Sequence, residues 1–155
     1  MLSAGASHNC VVNTTGGAKC WGGNNHGQIG NDATDPSPPA DVIGLTANVA
    51  FIHAGRSHSC ALTNNGGAKC WGLNTFGRLG DGTNADQRLA PVDVIGLESD
   101  VASMTIGSDH TCALTTGGGV KCWGANNNSQ LGNGTIGAGC EMQLNREPTP
   151  GCTFP

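Results

Sequence analysis

No stretch of this chain carries an apolar pattern of 3.6-residue period. Apolar residues come in short runs broken by clusters of Gly, Asn, Asp and Pro, the pattern of short strands joined by tight turns. Ser57 to Thr63 is one such run. Asn64-Asn65-Gly66-Gly67 follows, with residues that tolerate positive φ. Ala68 to Trp71 then returns as a second strand. A hairpin centred near Asn65 sets Cys60 opposite Cys70, and the same arithmetic sets Cys10 opposite Cys20 and Cys112 opposite Cys122. Directly opposed residues have Cβ atoms roughly 4.5–5.5 Å apart, within reach of a disulfide.

The hairpin recurs. His8-Asn9-Cys10 leads to Gly16-Gly17 and Lys19-Cys20-Trp21-Gly22. His58-Ser59-Cys60 leads to Gly66-Gly67 and Lys69-Cys70-Trp71-Gly72. His110-Thr111-Cys112 leads to Gly117-Gly118 and Lys121-Cys122-Trp123-Gly124. The histidines are 50 and then 52 residues apart. A second block follows each Trp-Gly: Gly27-Gln28-Ile29-Gly30, Gly77-Arg78-Leu79-Gly80 and Ser129-Gln130-Leu131-Gly132. Asp41 to Leu45 recurs as Asp93 to Leu97. A fixed period of this length marks a stack of supersecondary units. We divide the chain into repeats 1–45, 46–97 and 98–155, the last with an insertion near its end, and expect four short antiparallel strands in each.

These residues resemble the regulator-of-chromosome-condensation repeat, in a secreted bacterial form. The matching pattern is Ala-Gly-x-x-His-x-Cys-Ala-Leu-Thr, then Gly-Gly-x-Lys-Cys-Trp-Gly-x-Asn, then Gly-Gln-Leu-Gly-x-Gly-Thr, running to about Thr135. The resemblance implies an all-β fold of three β-propeller-type blades. Family propellers usually close with seven blades, and propellers in general need about four to eight. Three blades make an open arc to be completed by other subunits. Met1 aligns with Phe51 and Ser103, so the chain starts inside a repeat, and Glu147 to Cys152 falls where a third Asp-Val-Ile-Gly-Leu block belongs. One chain's tail is therefore expected to complete the next chain's first blade.

Composition narrows the chemistry. Charged residues are 12% of the chain, about half the usual share of roughly a quarter. The seven Lys and Arg are scattered and the net charge is -4, which argues against nucleic acid as a partner. No apolar run approaches the ~18 residues of a membrane span. No leader is visible before the first repeat, so a leader has been removed or the sequence is an excised segment.

The eight cysteines point to an oxidising, extracellular or cell-surface setting. The alternative is zinc held by His8, Cys10, Cys20 and their counterparts. Zinc favours closely spaced Cys knuckles and four ligands, and this pattern supplies three, so disulfides Cys10–Cys20, Cys60–Cys70 and Cys112–Cys122 are preferred. Cys140 and Cys152 remain, for each other or for a neighbouring chain. Three copies of His8, His58 and His110 point to a structural hydrogen bond rather than a catalytic role. Trp21, Trp71 and Trp123 are expected between blades. Lys19, Lys69 and Lys121 belong to a solvated rim or to stacking on an aromatic ring.

Segments 31–35 and 81–86 carry oxygen ligands, but neither completes a calcium loop. Asn13, Asn127 and Asn133 begin glycosylation triplets. No cofactor, metal or catalytic constellation is expected, and a grafted enzyme site would show no sign of itself in the fold. Two functions compete. One is a non-catalytic extracellular structural protein whose subunits join head to tail into a filament or ring. The other is a secreted protein-binding module, an adhesin or an enzyme inhibitor. The family's exchange factors for small GTPases and its secreted β-lactamase inhibitor set the precedent for binding through loops on one face.

Overall fold

The computed structural model describes residues 1–83, 85–134 and 136–140. They form three four-stranded antiparallel sheets, each a simple meander. The first holds β1 (Leu2–Ala4), β2 (His8–Val12), β3 (Ala18–Gly22) and β4 (Ser37–Asp41). The second holds β5 (Val49–Ala54), β6 (His58–Thr63), β7 (Ala68–Leu73) and β8 (Gln87–Asp93). The third holds β9 (Val101–Ile106), β10 (His110–Thr115), β11 (Val120–Asn126) and β12 (Gly137–Cys140). One 3-10 turn, Thr75–Gly77, is the helical element among the described residues.

Local chemistry explains the meander. The Gly16-Gly17 turn closes on Asn13, whose N–H donates to the Gly17 carbonyl. Thr63 and Thr115 do the same at Gly67 and Gly119. Gly16, Gly66 and Gly118 take φ values of 79°, 80° and 85°, which L side chains resist. The outermost strands carry Pro38, Pro39 and Pro91, residues without an N–H that suit an unpaired sheet edge. Across β3–β4 and β7–β8, Lys19 pairs with Asp41 and Lys69 with Asp93, both at 2.6 Å. These lysines sit on the outer rim paired to acids.

The sheets stack as blades. β5 lies against β1 and β2, and β9 against β5 and β6. The core is two separate clusters, each between neighbouring blades. One joins Cys10, Cys20, Ile29 and Val42 of blade 1 to Ile52, Ala61 and Trp71 of blade 2. The other joins Cys60, Cys70, Leu79 and Val94 of blade 2 to Met104, Ala113 and Trp123 of blade 3. Each blade thus offers its cysteine face to the tryptophan face of the next. Two junctions exist within the described residues, and the arc stays open.

Candidate functional site

The registry of each central hairpin is as the sequence arithmetic requires. Cys10 faces Cys20, Cys60 faces Cys70, and Cys112 faces Cys122. All three pairs are disulfides, with S–S distances of 2.09, 2.08 and 2.12 Å. The sulfurs bond to each other rather than to zinc. Each closure of a ten-residue separation is worth about 2–3 kcal/mol in the chain-entropy model. The Cys140–Cys152 pairing lies outside the described residues.

At each junction the two faces meet through one polar relay. Ser59 Oγ donates to the carbonyl of Gln28 at 2.8 Å, and Trp71 Nε1 donates to the same oxygen at 2.9 Å. His8 Nε2 lies 2.7 Å from Ser59 Oγ. A hydroxyl has a single proton, and Ser59 has given it to Gln28. His8 is therefore the Nε2–H tautomer, donating across the blade boundary. The second junction repeats this. Thr111 Oγ1 and Trp123 Nε1 donate to the Arg78 carbonyl at 3.1 and 3.0 Å, and His58 Nε2 stands 3.2 Å from Thr111 Oγ1.

The tautomer explains the remaining nitrogen. Nδ1 of His8 and of His58 is buried without a partner. A bare lone pair is tolerable there, whereas a proton would have no acceptor. Burial holds His8 down at about 4. Burial first, then the nearby charges of Arg78, His8 and His110, hold His58 at about 3. These rings are neutral structural donors, unsuited to general acid–base work at neutral pH.

A second recurrent group acquires its partners only once the blades fold. Asn24, Asn74 and Asn126 follow each tryptophan by three residues. Their Oδ1 atoms accept from Ile29, Leu79 and Leu131 N–H at 2.9, 3.1 and 3.1 Å. Their Nδ2 atoms donate to Asn31, Asp81 and Asn133. They pin the loop that carries Gln28, Arg78 and Gln130. The period of the sequence was the available signal for them.

The same loops hold the candidate ligand residues. The Asp81 carboxylate takes hydrogen bonds from Asn74, Thr83 and Arg88. Burial raises its pKa, yet the bonds from Arg88 and Thr83 outweigh that and hold it low. Its oxygens are committed to the loop rather than offered to calcium. Asn133 is 5% exposed, in the place of Asn31 and Asp81. Asn13 Oδ1 accepts from Thr15 N–H, Thr15 Oγ1 and Gly17 N–H, a turn role, while Asn127 is exposed.

The ends of β1, β5 and β9 converge on an open basin of about 490 Å³, lined by small residues around Gly5, Gly55 and Gly107 together with Arg56 and Ile106. Among the described residues, no group of three or more His, Cys, Asp or Glu is placed to hold a metal. No helix among them is long and apolar enough to cross a membrane.

The regulator of chromosome condensation (RCC1) repeat matches residues 2–28, 49–78 and 101–130, and in a second registration residues 18–62 and 65–114. The chain belongs to the RCC1 repeat family. Its blades are similar to those of Prp20p from Saccharomyces cerevisiae, with a TM-score of 0.78 at 22% identity over 91% of this chain and 36% of that one. Prp20p itself has binding properties toward Gsp1p and histones. Human WBSCR16 matches with a TM-score of 0.73 at 23% identity, over 81% of this chain and 33% of that one. The ectodomain of the Physcomitrella patens receptor kinase CR4 matches with a TM-score of 0.52 at 28% identity, over 87% of this chain and 33% of that one. The chain spans about a third of the length of these structures. The described residues of this RCC1-type chain form a three-blade arc of a propeller. Its three disulfides fit an oxidising compartment.

Proposed function

We propose that this chain is a non-catalytic, extracellular protein-binding module whose principal partner is another copy of itself, joined head to tail by blade stacking into a filament or ring. One observation carries the reading. Residues that are buried at the two internal junctions stand exposed at the two outer faces. Leu2 is 67% exposed, whereas its counterpart Ile52 is 0%. Leu114 is 40% exposed, whereas its counterpart Leu62 is 3%.

The outer face of blade 1 has the same character as the faces that blades 2 and 3 turn inward. Among the described residues, blade 3 carries Cys112, Leu114, Cys122 and Leu131 in the places of cysteine-face residues of blades 1 and 2. The same chain therefore holds both halves of a contact that it makes twice within itself. A heterologous contact of this kind either closes into a ring or propagates.

Sedimentation velocity and electron microscopy across a micromolar concentration series test this. Assembly that grows with concentration, and is abolished by Leu2→Lys or Leu114→Lys, supports the proposal. A wild-type chain that remains a single subunit at high micromolar concentration overturns it.

A further inference from the structure

One hairpin turn of the three carries a side-chain amide beside a glycine nitrogen. The turn between the second and third strands of each blade reads Asn13-Thr14-Thr15-Gly16-Gly17, Thr63-Asn64-Asn65-Gly66-Gly67 and Thr115-Thr116-Gly117-Gly118-Gly119. Gly16, Gly66 and Gly118 share one left-handed backbone, with φ values of 79°, 80° and 85°. The residue before that glycine is Thr15 in blade 1, Asn65 in blade 2 and Gly117 in blade 3.

The surroundings favour reaction between Asn65 and Gly66. Asn64 and Asn65 are exposed, and the Gly66 N–H donates to the Thr63 carbonyl at 2.9 Å. Opening of that surface bond frees the nitrogen without unfolding a blade. Glycine has no side chain to obstruct the approach to Asn65 Cγ. Asn48 Nδ2 donates to Asn65 Oδ1 at 2.5 Å, which stabilises negative charge that develops on that oxygen. The chain has a second Asn-Gly, at 133–134, but Asn133 is 5% exposed. Asp81-Gly82 is the acid counterpart, and its carboxylate is tied up by Arg88 and Thr83.

We propose that Asn65-Gly66 is a self-modification site, at which Asn65 becomes aspartate or isoaspartate and loosens the junction between blades 2 and 3. The Gly66 nitrogen gives its proton to solvent base and bonds to Asn65 Cγ. The Cγ–Nδ2 bond breaks, and Nδ2 takes a proton from water and leaves as ammonia. Water then adds to the cyclic imide. Opening at one carbonyl gives aspartate. Opening at the other routes the main chain through Cγ, which adds a backbone carbon between residues 65 and 66. Gly66 belongs to the junction as well as to the turn, because its carbonyl accepts from Val101 N–H of blade 3 at 3.0 Å. Asn65, Gly66, Asp100 and Val101 line one cleft. An added backbone carbon displaces the Gly66 carbonyl, and either product sets a new carboxylate in the cleft that holds Asp100.

Ageing of the full chain in mildly alkaline buffer tests this, with peptide mass spectrometry that separates isoaspartate from aspartate. Asn65 is expected to convert at least roughly tenfold faster than Asn133, whose loop must open first. Asn48→Asp installs the residue that blade 3 has at this place, where Asp100 keeps nearly the same φ, 64° against 65°. It removes the donor and is expected to slow conversion roughly fivefold, the scale of one ordinary hydrogen bond. Amide hydrogen exchange at Val101 is expected to accelerate in the converted chain. Val49 N–H, held by the Gly16 carbonyl at 2.9 Å in the first junction, is expected not to change. Asn65→Thr, the blade 1 residue at this place, is expected to fold and to age without loosening at Val101.

An Asn65 that converts no faster than Asn133, or stays intact over the time in which the urea-unfolded chain converts it, overturns the site. Asn48→Asp reacting at the wild-type rate overturns the part given to Asn48. A converted chain with Val101 exchange unmoved overturns the effect on the junction.

Discussion

The junction between blades 1 and 2 and the junction between blades 2 and 3 use one relay but different side chains. In both, a histidine reaches a hydroxyl, and that hydroxyl and a tryptophan share one carbonyl. The carbonyl belongs to Gln28 in the first and Arg78 in the second. Because the acceptor is backbone, the residue bearing it is free to vary. The second junction exploits that freedom. Arg78, 3% exposed, extends to Asp109 of the next blade at 2.7 Å, and Asp109 is 33% exposed. At the first junction Gln28 Nε2 only approaches Ser7, in its own blade, at 3.5 Å. A backbone acceptor supplies the recurring geometry, and the side chain above it tunes one junction at a time.

The comparison is broken most severely at the tryptophans. Trp71→Ala and Trp123→Ala each remove the largest buried side chain of a cluster, and each is expected to cost about 3–5 kcal/mol in urea unfolding. Trp21→Ala in the isolated subunit should cost under about 1 kcal/mol, since its face is open. Equal losses at all three would mean that the junctions are not what bury the indoles.

Asp109→Ala leaves the buried Arg78 guanidinium with the Thr75 carbonyl but without its carboxylate, and should cost about 1.5–3 kcal/mol. Ser57→Ala, at the matching place in the first junction, should cost under about 0.5 kcal/mol. Similar losses would erase the difference between the junctions.

Acid acts on what they share. His8 and His58 titrate near 4 and 3 in the folded chain, below the ordinary 6.5. The unfolded chain binds their protons first, so stability is full above pH 6.5 and falls as pH drops through 6.5 toward 3. His58→Gln should flatten the lower part of that decline, measured by urea midpoints at successive pH values.

Graded reduction sharpens the contrast between inner and outer faces. Cys10–Cys20 and Cys60–Cys70 are fully buried under the next blade, whereas Cys112 and Cys122 are partly exposed. Peptide mapping after partial reduction should find Cys112–Cys122 opened first, in the unassembled chain, with assembly slowing it. The smallest effect belongs to the rim. Lys19→Ala should change stability by under about 0.5 kcal/mol, as exposed ion pairs do.

Much of this protein could be read before the blades were seen. Recurring hairpins placed three cysteine pairs in direct opposition because side-chain position along a strand is local and turn residues set the register. The same period flagged His8, His58 and His110 without saying what they touch. The partners of the first two, Ser59 and Thr111, lie some fifty residues away and come from a different blade. Asn24, Asn74 and Asn126 went unassigned because an amide side chain has no preferred partner until a loop folds around it.

Amino-acid order alone determined three disulfide-closed, four-stranded units, since hairpin register and turn chemistry act over a dozen residues. Stacking determined the rest. Only when a cysteine face met the next tryptophan face did a carbonyl become a shared acceptor and a histidine become a buried neutral donor. Those properties depend on desolvation and on contacts between distant segments, which no local pattern encodes. Stacking also distinguishes Trp21 from its two copies, alike in sequence context and different in surroundings.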